Sequence, residues 1–107
     1  MILMHGLFDL NDGVKEKEFR QCFEQFSEHL KESNMTVSGR VMRHQAHDGY
    51  NARAPLTQYY VSIEFMNMDH AERCWAYIQE SGEPLKSLHD AVFSKVQNTS
   101  FFLSSDI

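Results

Sequence analysis

Five polar side chains stand at even spacings among apolar neighbours: His5 and Asp9 in a short run near the N-terminus, and Tyr60, Ser62 and Glu64 in a second run. In an extended chain, residues separated by even steps project from one side, so each set shares a face. A histidine with a carboxylate and a phenol is a set that moves protons. Imidazole changes charge near neutral pH, and a neighbouring Glu raises and orients it. His5, Tyr60 and Glu64 are therefore the candidate catalytic residues, with Asp9 and Ser62 as candidate ligand contacts beside them. The same groups can instead satisfy one another's hydrogen bonds at an interface between subunits, and the sequence leaves both readings open.

The remaining residues with chemistry in them point elsewhere. His44 and His47 lie three apart, which on a strand sets them on opposite faces, and neither they nor His70 is joined by a cysteine or carboxylate set of ligand spacing. No metal site is expected. His89 lies next to an apolar helical stripe and is the histidine best placed to reach a cavity, where Trp75 is the second candidate ligand contact. Cys22 and Cys74 fall on apolar stripes without a CxxC spacing, which reads as buried reduced thiols, since a reactive thiolate needs an electropositive and partly open setting. Tyr50 and Arg53 occupy a long polar connection that can either cover a pocket or remain solvated.

These side chains are carried by 107 residues, 42% hydrophobic and 23% charged, which suits one globular domain spanning 1–107. The formal charge of −5, with its ten basic residues scattered, disfavours a nucleic-acid surface. The N-terminal apolar run has no basic flank, so no signal peptide is expected, and no stretch approaches the roughly 20 apolar residues of a membrane span. A cytoplasmic protein is the expectation.

The apolar pattern predicts strand, helix, strand, strand, helix, strand. Residues 2–10 form a short apolar run closed by Asn11-Asp12-Gly13, a strand boundary. Residues 14–33 place Phe19, Cys22, Phe23, Phe26 and Leu30 on one helical stripe, with Asn11 or Asp12 as the cap and Asn34 as a left-handed stop. Residues 36–44 and 58–66 alternate as strands, and in the latter Tyr59, Val61, Ile63 and Phe65 oppose the polar set. The connection 47–57 is too long for a tight hairpin and is expected to be mobile. Asp69 with Glu72 resembles a capping box for a helix that ends near Ser81-Gly82. Pro84 can occupy the first turn of an extra helix bearing Leu85, Leu88, Val92 and Val96, before a last strand at 99–104. The order is ferredoxin-like βαββαβ: an antiparallel four-stranded sheet with its helices on one face.

The first strand is apolar on both sides, with Ile2, Met4 and Phe8 on one and Leu3 and Leu7 on the other, and Phe102 repeats this on the last strand. A sheet with one wet face alternates apolar with polar residues, so the second face here calls for a cover, most simply a second copy of the chain. The order of elements, together with Ile63-Glu64-Phe65, Asp69-His70-Ala71 and Leu88-His89-Asp90-Ala91-Val92, resembles the dimeric α/β-barrel superfamily, which includes stress-responsive barrel proteins and antibiotic-biosynthesis monooxygenases. The resemblance implies a homodimer whose sheets pair face to face, and a cavity between sheet and helices that holds a small organic molecule. It also implies a choice between a non-catalytic binding module and a cofactor-independent monooxygenase or isomerase. Haem-degrading members combine a Trp and a His, as Trp75 and His89 do, but use an Asn on the first strand where this chain has His5, so no cofactor is expected.

Overall fold

The chain runs β1 (Ile2–Leu10), α1 (Glu16–Glu32), β2 (Ser38–Arg43), β3 (Tyr59–Phe65), α2 (Met68–Glu80), α3 (Leu85–Phe93) and β4 (Val96–Ser105) in a computed structural model that describes residues 1–107. The strands form one antiparallel sheet in the order β2-β3-β1-β4. This is the ferredoxin-like arrangement, and the third helix precedes the last strand as the sequence pattern predicts.

Local chemistry fixes the helix ends, at places the sequence pattern only partly indicates. Helix α1 has Lys15 at its N-cap with no side-chain cap, and Asn11, the expected cap, is committed elsewhere. Its backbone N–H donates to Lys95 O at 2.8 Å and its side-chain amide to Ser94 O at 3.0 Å, tying the end of β1 to the start of β4. Acidic Glu16 and Glu18 in the first turn complement the helix dipole instead. At the other end Asn34 adopts φ 59. The Asn34 N–H reaches Lys31 O at 3.0 Å and the Met35 N–H reaches Leu30 O at 2.8 Å, a Schellman closure around a left-handed Asn.

Helix α2 is capped by Asn67, whose Oδ1 accepts the His70 N–H at 2.9 Å, two residues before the expected Asp69. His70 is itself buried. Its Nδ1 accepts the Met66 N–H at 3.1 Å and its Nε2 donates to Asn34 O at 2.8 Å, so one ring joins the end of α1 to the start of α2. Pro84 stands at the N-cap of α3 and not within its first turn. Val96, expected on that helix, opens β4, and β4 is longer than the expected 99–104. The reason is a register shift between Leu7 and Asp9, with Asn98 at φ 55; a bulge carries the strand past a break that a period-two pattern does not reveal.

The core lies between the helices and the even-numbered face of β1. Phe8, Phe19, Phe23, Phe26, Leu30, Val61 and Phe65 are among its eleven buried members, Phe65 with 0% of its surface exposed. Gly6 is a position of close approach: a Cβ there would lie 2.7 Å from both the Phe101 ring and Val61 Cγ2. The segment 47–57 contains neither helix nor strand.

Candidate functional site

Pairing of β1 with β3 sets His5 opposite Ser62, Leu3 opposite Glu64 and Leu7 opposite Tyr60. The polar set of β3 and the odd-numbered set of β1 therefore share one face of the sheet, as alternation predicts. That face is the one turned away from the helices. Tyr60, Ser62 and Glu64 are therefore not on the wall of the cavity between sheet and helices, to which β3 contributes Val61, Ile63 and Phe65. The physical cause is the helices' choice of the more apolar side of β3, where burial gains most.

On the outer face His5 is the hub. Its Nδ1 shares a hydrogen bond with the Tyr60 hydroxyl, its Nε2 lies 2.7 Å from Ser104 Oγ, and its ring stacks on Phe102 at 4.6 Å between centroids. Glu64 is one pair further along the strands and makes no hydrogen bond to His5. Asp9 lies beyond the bulge and faces a different task. It accepts the Gln58 N–H at 2.8 Å and the Asn98 amide at 3.0 Å, and these bonds, the Gln58 one first, hold its carboxyl below the usual 3.8. Ser104 escaped the sequence reading because its neighbours depend on the β4 register. Its one signal was the two-residue offset from Phe102.

Trp75 and His89 lie on the opposite side of the sheet, on the wall of a cavity of about 710 Å³. Sixteen of its 22 lining residues are hydrophobic, among them Phe8, Phe26, Phe65 and Phe101, and its polar residues include Gln79, Lys86 and Asp90. A space of that size with few polar groups has the character of a small-molecule site. His89 is half-buried, stacked on Phe93 at 4.4 Å and edge-on to Phe26 at 5.7 Å, with Nδ1 3.4 Å from Asp90 Oδ1. Cys74 also lines the space; burial pushes its thiol up to about 11, which keeps it protonated and unreactive at neutral pH. The seven candidate residues thus divide into an outer group of His5, Asp9, Tyr60, Ser62 and Glu64 and an inner pair of Trp75 and His89.

A third polar cluster stands at the edge near the start of α1. Glu16 accepts the Tyr59 hydroxyl at 2.9 Å and Arg43 Nη2 at 3.0 Å. Burial, followed by the bond to the Glu16 carboxylate, raises the Tyr59 phenol above its usual 10. No three His, Cys, Asp or Glu side chains come together as a metal-holding group, and no helix is long and apolar enough to cross a membrane.

The fold is shared with several solved proteins of remote sequence. The Arabidopsis thaliana protein At3g17210 superposes with a TM-score of 0.76 at 6% identity, over 100% of this chain and 96% of that one. SnoaB, a cofactor-independent oxygenase from Streptomyces nogalater, gives 0.71 at 12% identity over 99% and 92%. A dimeric ferredoxin-like protein of unknown function from Bacteroides fragilis gives 0.57 at 14% identity over 98% and 95%. The resemblance to the dimeric α/β-barrel group therefore holds at the level of fold. No curated protein matches the sequence. Residues 1–106 match the model of a family of unknown function, DUF6614, and the chain belongs to that family.

Proposed function

We propose that the 107 residues act as one domain, a cytoplasmic homodimeric α/β-barrel protein that binds a small organic molecule in the cavity between its sheet and its helices. The observation that carries this reading is the aromatic-walled space of about 710 Å³ beside Trp75 and His89. Support for pairing comes from the outer sheet face, where Phe102 is 51% and Met42 40% exposed beside Leu3 and Leu7. Covering such side chains is worth about 1.5 to 3 kcal/mol each when complete. The Bacteroides fragilis relative is dimeric, and both cysteines are free thiols, as in a reducing compartment.

The test is direct because Trp75 is the only tryptophan. Titration with 1-anilinonaphthalene-8-sulfonate is expected to change Trp75 emission saturably, and native mass spectrometry to show a dimer with any co-purified small molecule. An unsaturable response from the folded protein overturns the ligand reading.

A second reading, a cofactor-independent monooxygenase or isomerase using His5, Tyr60 and Glu64, is favoured by the His5 to Tyr60 hydrogen bond and by the fold shared with SnoaB. His5→Ala separates the two. Loss of a ligand-dependent signal in an intact dimer supports chemistry at His5. Dissociation with ligand binding kept supports an interface role.

A further inference from the structure

Within the cavity reading proposed above, on which this inference rests, we propose that His89 is its proton-transferring residue. Its ligand is a flat, uncharged, apolar molecule carrying one acidic C–H or O–H group at the cavity mouth. Four titratable side chains line the space: Cys74, Lys86, His89 and Asp90. The Cys74 thiol is 2% exposed and held protonated by burial, which removes it from exchange at neutral pH. Lys86 and Asp90 are exposed, whereas His89 is half-buried at the boundary between solvent and the aromatic wall. Imidazole is also the side chain suited by type to both take and return a proton near neutral pH.

The ring is set for that task. Phe93 stacks against it and Phe26 meets it edge-on, which restricts its rotation. Asp90 Oδ1, 3.4 Å from Nδ1, favours the proton on that nitrogen, and Nε2 has no hydrogen-bond partner within the protein. A base must have a free lone pair, and with the proton on Nδ1 that lone pair belongs to Nε2 of this cavity-lining ring. Lys86 lies three and four residues before His89 and Asp90, and such spacings put the three on one stripe of α3. Lys86 forms no ion pair, so its charge is free to stabilise an anion formed beside it.

The step balances without a co-reactant. The ligand's C–H or O–H proton moves to His89 Nε2, the bonding pair stays on the ligand as an anion beside Lys86, and the proton returns to a different ligand atom. The net change is an isomerisation that returns the His89 ring to its starting state. The aromatic wall selects against ligands already charged, since transfer of an unpaired ion from water into apolar surroundings is unfavourable.

The probe is 5-nitrobenzisoxazole, a flat apolar molecule whose single acidic C–H, once taken by a base, sends its electron pair into a nitrile and breaks the ring N–O bond. The product is a coloured cyanonitrophenolate. Saturable quenching of Trp75 reports binding, and phenolate release reports proton transfer. The expected result is release faster than with an equal concentration of free imidazole. His89→Gln should lower it roughly 100-fold while quenching persists. Quenching without His89-dependent release overturns this inference alone, whereas absence of saturable quenching overturns the cavity reading beneath it. If His89→Gln fails to fold, carbethoxylation of His89 in the native chain, located by peptide mass, must abolish release; release that survives it overturns the inference.

Discussion

Asp9 and Cys74 show how one titratable group reports its surroundings. The Asp9 carboxylate is stabilised by the Gln58 N–H and then by the Asn98 amide, so its pKa is lowered on folding. A group depressed in this way stabilises the fold above its ordinary 3.8, and that contribution is lost as pH falls through the lowered folded value. Asp9→Asn keeps one acceptor oxygen but no charge. It is expected to flatten the fall of stability as pH drops below that ordinary value, measured by urea denaturation at each pH. Cys74 has the opposite sign. Burial raises it to about 11, so the protonated form is the stabilising one and its contribution is lost as pH rises toward that value. Iodoacetamide at neutral pH is expected to leave Cys74 unmodified in the native chain and to alkylate it once the chain is unfolded, as read by peptide mass. Modification of Cys74 in the folded protein at that pH would show that its site opens.

At the scale of the elements, β1 is the organising strand. It is central in the sheet, pairs with both β3 and β4, and is the strand whose two faces serve different purposes. Gly6 marks its closest packing. Because a methyl group there meets Phe101 and Val61 at 2.7 Å, Gly6→Ala is expected to destabilise the protein by about 1 to 3 kcal/mol through overpacking, measured by chemical denaturation. A cost near zero would mean that the Phe101 ring swings aside at no penalty. The boundaries of β1 and the stripe of α1 were legible in the sequence because both follow from apolar period alone. The caps were less so: Asn11, Asp69 and Pro84 each have the chemistry to start a helix, but Asn11 is drawn off to the carbonyls of Ser94 and Lys95, and Asn67 takes the cap of α2. Competition among local hydrogen-bond partners is settled only when distant segments meet.

For the whole molecule the unanswered surface is the outer sheet face. All three helices lie on the other side, and Phe102 stands 51% exposed, stacked on His5. If a second copy covers this face, a charge introduced on it must be desolvated on association. Phe102→Glu is then expected to convert the dimer to a folded monomer at micromolar concentration, measured by sedimentation equilibrium with circular dichroism unchanged. A variant that stays dimeric would place the subunit contact on another surface. The same experiment bears on His5, since a monomer that retains ligand binding separates the outer cluster from the cavity.

The sequence by itself determined the order of elements and the apolar stripe or alternation of each. These follow from periodicity, which is a local property of the chain. It also brought His5, Tyr60, Ser62 and Glu64 to one face. Tertiary structure alone decided that this face is the outer one, that Ser104 and Phe102 complete the surroundings of His5, and that Trp75 and His89 belong to a separate, aromatic-walled space. The reason is that register across β1 and β4, shifted by the bulge between Leu7 and Asp9, and the side chosen by the helices both depend on contacts between residues far apart in the chain.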